Sequence, residues 1–271
     1  MKKTVLIIWL CLTFISCGKS DEQTSLKNEE AVPFRDITLE INILTSDSLR
    51  LSGRLIPSPD TGRAPLFVLL PMLGHTHESY QPFIDSLKNI FAVDSNLTGA
   101  KFPHLLSLDL RGHGQSILKG DDTLHFETMS VADYQQIPQD VVELLTTIMN
   151  NYRDRIDTSR IALIGASIGA NAALISTLKL PFVSKIVMLS PGNNYHSLVP
   201  DEAFTNFEGK IFMATSRADK YSYETVQHLA ALKNKNWILK IYPRDGHGTD
   251  ILKFDVAMRE TILWLFENQK N

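Results

Sequence analysis

Residues Gly165-Ala166-Ser167-Ile168-Gly169 hold a serine between two glycines in the spacing Gly-x-Ser-x-Gly. A serine hydroxyl can attack a carbonyl carbon, but at neutral pH it needs a base to take its proton. The flanks give the pattern its weight. Ile161-Ala162-Leu163-Ile164 reads as a buried strand, and the small residues from Ala170 to Ala173 read as the start of a helix. A strand that turns directly into a helix lifts the serine above the strand ends. Glycine is needed at the flanking positions because the turn leaves no room for side chains. The amide of Ile168 then points into the same space as the hydroxyl and can donate to an oxyanion.

On such a turn the acid and the histidine follow the serine along the chain, in that order. His247 lies in Arg244-Asp245-Gly246-His247-Gly248, directly after the last apolar run, where two glycines allow a sharp loop. His228 falls inside an expected amphipathic helix, and His196 lies in a loop. The acid expected is Asp219, at the end of Ile211-Phe212-Met213-Ala214-Thr215-Ser216-Arg217-Ala218-Asp219. It would accept the ring N–H and fix the tautomer. Asp201 and Asp245 are the alternatives, the second lying close to His247 along the chain. A second oxyanion donor is expected from Leu70-Pro71-Met72-Leu73-Gly74-His75-Thr76-His77. Leu73 is favoured and Met72 is the alternative, since Pro71 has no N–H to give. His75 and His77 form a His-x-His pair, a spacing that can ligate zinc. Only Glu78 stands near as a further ligand, so they are read as lining the mouth of the site. No metal and no cofactor is expected. His113 is read as holding its own turn together.

These groups need a scaffold. Residues 36–43 alternate polar and apolar, as a half-buried strand does, and 49–56 alternate more loosely. The two read as an antiparallel edge. Unbroken apolar runs follow at 66–70, 105–110, 161–164, 186–189, 211–214 and 237–242. Runs of that kind suit strands covered on both faces, the mark of a parallel sheet. Helices are expected at 80–90, 138–152, 170–179, 223–233 and 255–268. The alternation implies an α/β fold: a three-layer α/β/α sandwich around a mostly parallel twisted sheet with an antiparallel N-terminal edge.

With those elements in place the chain resembles the α/β-hydrolase superfamily, near esterases related to dienelactone hydrolases and serine aminopeptidase-like hydrolases. The resemblance covers nearly all of residues 34–271. Besides the Gly-x-Ser-x-Gly turn it rests on Leu108-Asp109-Leu110-Arg111-Gly112-His113-Gly114-Gln115-Ser116, similar to the superfamily's Asp-x-Arg-Gly-His-Gly-x-Ser turn. Asp157-Thr158-Ser159-Arg160-Ile161 resembles the lead-in to the serine strand. Pro71-Met72 stands where relatives often carry His-Gly. Many relatives insert a helical cap after the strand near Ser190, whereas residues 191–209 leave room here for a loop or a single helix. No large cap domain is expected. An open site is expected instead, rimmed by Asn193, Asn194, Tyr195 and His196 together with Tyr80. What the resemblance implies is hydrolysis of a carboxylic ester, on a small molecule or an acylated carbohydrate or lipid. A serine aminopeptidase-like peptidase and a non-catalytic binding protein on the same fold are the alternatives.

The N-terminus has a different character. Lys2 and Lys3 precede a mostly apolar run from 4 to 15, too short to span a bilayer as a permanent helix. It ends in Phe14-Ile15-Ser16-Cys17, which resembles the lipobox of bacterial lipoprotein signal peptides. The resemblance implies cleavage before Cys17 and lipidation of that residue. Only one other cysteine exists, Cys11, inside the expected signal at 1–16. Residues 17–33 are polar and read as a tether, and 34–271 as the catalytic domain. The expected location is the bacterial cell envelope, periplasmic or on the outer membrane or surface. The chain is 44% hydrophobic and 21% charged with a formal charge of −3, so nothing in it offers the basic footprint that nucleic acid requires.

Overall fold

The computed structural model describes residues 37–97, 99–232 and 236–267. The expected signal, Cys17 and the tether lie outside the described residues. Ten strands are described: β1 (Leu39–Leu44), β2 (Arg50–Ile56), β3 (Ala64–Leu70), β4 (His104–Leu108), β5 (Leu118–Lys119), β6 (Asp122–Thr123), β7 (Ile156–Ala166), β8 (Val183–Leu189), β9 (Lys210–Ser216) and β10 (Trp237–Tyr242). The helices are α1 (Gln81–Val93), α2 (Val131–Tyr152), α3 (Ile168–Ser176), α4 (Asp201–Asn206), α5 (Lys220–Ala231) and α6 (Asp255–Phe266).

Eight strands form one sheet in the order β1-β2-β4-β3-β7-β8-β9-β10. The β1/β2 and β2/β4 pairs are antiparallel, and every pair from β4 to β10 is parallel. This is the expected α/β-hydrolase architecture. Every residue of β3 and β4 is buried, as the unbroken apolar runs require. Alternate side chains serve opposite faces. Leu66, Val68 and Leu70 join the core beneath α2 and α3, with Leu144 and Leu174. Phe67 points the other way and meets Phe266 of α6 at 5.6 Å between ring centroids.

The strand order places the site. β3 lies between β4 and β7, so the chain leaves β3 to one side and crosses back to the other after β4. Reversal of that kind opens a crevice at the carboxyl ends of the two central strands. Those ends are Leu70 and Ala166, which lead into the loop of Leu73 and into Ser167.

Helix α2 begins at Val131, earlier than the expected 138. Ser130 is its cap: its hydroxyl accepts from the Asp133 amide, and the Asp133 carboxylate accepts from the Ser130 amide. That reciprocal pair satisfies two N–H groups a helix start would leave unpaired. Pro138, expected to open the helix, sits buried within it. Burial of Tyr134, Ile137 and Val141 on one face outweighs the hydrogen bond that the proline ring removes.

Arg111 is wholly buried and joins three parts of this scaffold. Its Nε and Nη2 donate to the Asp140 carboxylate on α2 at 2.9 and 2.6 Å. Its Nη1 and Nη2 donate to Asp47 at 2.7 and 3.0 Å. Replacement by Met leaves the Asp140 carboxyl without its partner in the core, where burial, which already pushes its pKa up to about 7, forces it to the neutral form at a cost in stability. R111M is expected to lose about 3–5 kcal/mol of unfolding free energy, measured by urea denaturation. A loss below about 1 kcal/mol, typical of an exposed pair, would refute this role.

Candidate active site

Ser167 occupies the turn between β7 and α3 with φ 53° and ψ −119°. A positive φ is strained for any residue with a side chain. Contacts on each side hold it there. The Ser167 amide donates to Leu189 O at the end of β8 at 2.8 Å, and the Ala170 amide donates to Ser167 O at 2.9 Å. Both flanking glycines are required by space. A Cβ on Gly165 would lie 2.3 Å from Gly169 O, and one on Gly169 would lie 2.4 Å from Pro71 O. The start of α3 therefore rests directly on the loop that follows β3. The Ile168 amide is among the first N–H groups of α3, which have no acceptor within their own helix.

His247 follows β10 and reaches both other groups. Its Nε2 lies 2.8 Å from Ser167 Oγ, and its Nδ1 lies 2.6 Å from Asp219 Oδ2. With Asp219 ionised, Nδ1–H donates to the carboxylate and Nε2 accepts from the serine hydroxyl. Burial pushes the Asp219 carboxyl upward, but hydrogen bonds from His247 and the Ser222 amide outweigh it and hold the pKa below the usual value. Asp219 is also the N-cap of α5, so the helix start fixes its carboxylate. The His247 side chain is 42% exposed, against 12% for Asp219, so the base stands at an open edge. Gly248, with φ 57°, lets this loop close on Met72, since a Cβ there would lie 2.6 Å from Met72 Sδ. The alternative acids go elsewhere. Asp201 pairs with His228 at 2.6 Å, and Asp245 is exposed.

The loop after β3 is pinned by the turn that follows β4. The Gly74 amide donates to His113 Nε2 at 2.9 Å, and His113 Nδ1 donates to Arg111 O at 2.8 Å. Asp109 Oδ1 accepts from both the His77 amide and His77 Nδ1, at 2.8 and 2.7 Å. His113 therefore reaches beyond its own turn and sets the amide next to Leu73. Its stacking on Phe126, at 4.7 Å between centroids, completes the packing. His77 is tied to Asp109, and His75 Nδ1 lies 3.1 Å from Leu73 O. The Asp-Leu-Arg-Gly-His-Gly pattern was the signal for this clamp, although its partner loop could not be read from it.

The expected rim residues separate into three outcomes. Tyr80 is a correction: it is fully buried, and its hydroxyl contacts Leu70 O at 3.1 Å and Ile164 O at 3.0 Å. It ties β3 to β7 beneath the site, its single hydroxyl proton shared between two strand-end carbonyls. His196 stacks flat on Tyr134 of α2, with centroids 3.8 Å apart and planes at 9°. The Tyr195 hydroxyl stands beside Ser167. Between β8 and β9 the chain forms a loop and the six-residue α4. A cavity of about 530 Å³ lies between α2, α3 and residues 197–199, and none of Ser167, Asp219 and His247 lines it.

A family model described as serine aminopeptidase, S33, matches residues 86–249, a span that includes Ser167, Asp219 and His247. No curated protein matches significantly. Among solved structures, a dienelactone hydrolase from Anabaena variabilis is similar with TM-score 0.59 and 14% identity, over 84% of this chain and 94% of that one. Acetyl xylan esterase 1 from Thermoanaerobacterium sp. gives 0.62 and 16%, over 89% and 86%. An esterase from Pyrococcus furiosus gives 0.62 and 17%, over 89% and 95%. At these identities the likeness is one of fold.

The His113 clamp has a consequence for acid stability. Accepting from Gly74 requires a neutral ring, and burial holds the His113 pKa below its usual 6.5. His104 behaves alike: burial lowers it, and its Nδ1 accepts from the Ser58 amide at 3.0 Å. The unfolded chain thus binds protons at a pH where the folded chain does not. The stability from each group is complete above the unfolded value and is lost as pH falls through the lower folded value. Melting temperature is expected to fall between about pH 7 and pH 5, and to fall less steeply in H113N. An unchanged slope in H113N would remove His113 from this account.

Proposed function

The chain belongs to the serine aminopeptidase, S33, family of α/β hydrolases, and from that we propose that it is a serine hydrolase cleaving carboxylic esters, carried on a lipid anchor at Cys17. The observation that carries the reading is the single imidazole of His247, within hydrogen-bond reach of Ser167 on one side and Asp219 on the other. In the first half of the reaction His247 Nε2 takes the proton as Ser167 Oγ attacks the ester carbonyl. The amides of Leu73 and Ile168 receive the developing oxyanion. Asp219 stabilises the imidazolium without taking its proton. The imidazolium then protonates the departing alcohol, leaving an acyl-serine. Water then attacks the acyl carbon as His247 takes its proton, the bond from that carbon to Ser167 Oγ breaks, and the imidazolium returns the proton to Oγ as the acid leaves.

The ester preference is supported by the open setting. Only a short loop and α4 separate β8 from β9, so among the described residues no helical domain inserted there stands over Ser167 to measure or anchor a peptide. Acyl compounds with a bulky alcohol, an acylated carbohydrate or lipid among them, can approach an edge where His247 is partly exposed. A fluorophosphonate probe is expected to label the wild type and to leave S167A unlabelled. D219N is expected to lower kcat by about 10⁴-fold, because the wrong tautomer then faces Ser167. A panel of p-nitrophenyl esters and aminoacyl nitroanilides compares the two substrate classes. Turnover of the anilides alone would refute the ester preference.

The anchor rests on the basic start, the apolar run from 4 to 15 and Ser16-Cys17. Among the described residues no helix is long and apolar enough to cross a membrane. Palmitate labelling and fractionation of a bacterial host test the anchor. C17S is expected to lose the label and leave the membrane fraction. Equal labelling of both proteins would refute it.

A further inference from the structure

The loop after β8 holds three buried polar atoms without a hydrogen-bond partner among the described residues, Ser190 Oγ, Asn193 Oδ1 and Tyr195 Oη, and the last of them stands beside Ser167. Tyr195 Oη is buried and makes no hydrogen bond of good distance and angle with the described residues, although Ser167 is near enough to act on it. A buried hydroxyl without a partner is uncommon in a native fold and costs stability. The loop nevertheless holds Tyr195 firmly. Asn171, wholly buried on α3 one turn beyond Ser167, donates to Gly192 O at 2.7 Å and Leu198 O at 2.8 Å. The Gly192 amide donates back to Asn171 Oδ1 at 3.2 Å. Tyr221 Oη accepts from the Asn194 amide at 2.9 Å and donates to Asn194 O at 3.0 Å. The ring of Tyr195 meets that of Tyr221 edge-on, with centroids 5.4 Å apart. A Cβ on Gly192 would lie 2.4 Å from the Tyr195 ring, so only glycine leaves room for it. His196 and Ser197 take positive φ values of 48° and 69° to complete the bend.

The hydroxyl so placed stands beside Ser167 and within the field of Asp219. Burial pushes its pKa up to about 12, so it remains a donor at any working pH. Its side of the site is defined by the sheet. The loop of Leu73 comes from β3, on one flank of β7, whereas Tyr195 comes from β8, on the other flank. Asp219 and His247 follow β9 and β10, on the same flank as Tyr195. A carbonyl oxygen held by Leu73 and Ile168 therefore points away from Tyr195. The alkoxy oxygen must face His247, which protonates it, and so lies on the flank of Tyr195.

Resting on the serine-hydrolase reading above, we infer that Tyr195 is a further catalytic residue, whose Oη–H donates a hydrogen bond to the alkoxy oxygen of the scissile ester. In this step the bond between the carbonyl carbon and the alkoxy oxygen breaks and its electron pair moves to that oxygen. The proton comes from His247 Nε2, while Tyr195 keeps its own and stabilises the charge building on the oxygen. Help of this kind matters most for a poor leaving group, such as an alkoxide, and least for nitrophenolate.

The test compares wild type and Y195F on the ethyl and p-nitrophenyl esters of one acid. Y195F should lose roughly 100-fold more kcat/KM on the ethyl ester than on the p-nitrophenyl ester, the scale of one preorganised donor. The dependence of kcat/KM on leaving-group pKa should steepen accordingly across a series of phenyl and alkyl esters. Equal losses on both esters, or none, would overturn the assignment, since a merely structural role moves both together. Fluorophosphonate labelling of the wild type separates the two claims. An unlabelled wild type sinks the serine-hydrolase reading itself, and a labelled one with equal losses in Y195F sinks only the part given to Tyr195.

Discussion

Backbone contact at Gly169 is the constraint on which the site depends. Its Cα faces the carbonyls of Leu70 and Pro71, so closely that a methyl group would not fit. The end of β7, the start of α3 and the loop after β3 therefore share one point in space. Ser167 takes its positive φ because the chain must reverse there between a buried strand and a buried helix. Strain of about 1–3 kcal/mol at such a residue persists only where the surroundings over-determine it. The fully buried β3 on one side of β7 and the buried C-terminal half of β8 on the other supply that. The hydroxyl, the Ile168 amide and the Leu73 loop are thus brought together by backbone packing, with little demand on side chains.

Buried polar groups then secure the loops that packing leaves free. Asp140, Arg111, His113 and Gly74 form a continuous chain of hydrogen bonds and backbone links from α2 to the loop of Leu73. Asn171 does the same for the loop after β8. Each of these groups would be costly to bury unpaired, so each admits few arrangements. On the other flank His247 remains partly open to solvent, which suits a group that must meet both substrate and water.

Much of this was legible in advance because it is local. Strand, turn and helix around Ser167 follow from consecutive residues, and continuous apolar runs mark the central strands. The helix start at Val131 is written locally in Ser130 and Asp133, but Pro138 offered a stronger and misleading start. The placement of Tyr80 was not legible. A tyrosine beside a loop suits the rim or the core equally, and only the Leu70 and Ile164 carbonyls above it decide for the core. His113 looked confined to its turn because its partner, Gly74, is distant in the chain.

By itself the sequence determined the turn types, the faces of the strands and the order in which serine, carboxylate and histidine candidates occur. Those properties depend on neighbours a few residues away, through sterics and periodic burial. Tertiary structure alone decided which aspartate meets His247, which loop His113 holds, and that the hydroxyl of Tyr195 rather than that of Tyr80 stands beside Ser167. These are contacts between segments far apart in the chain, and no local pattern encodes the distance or direction that a hydrogen bond requires.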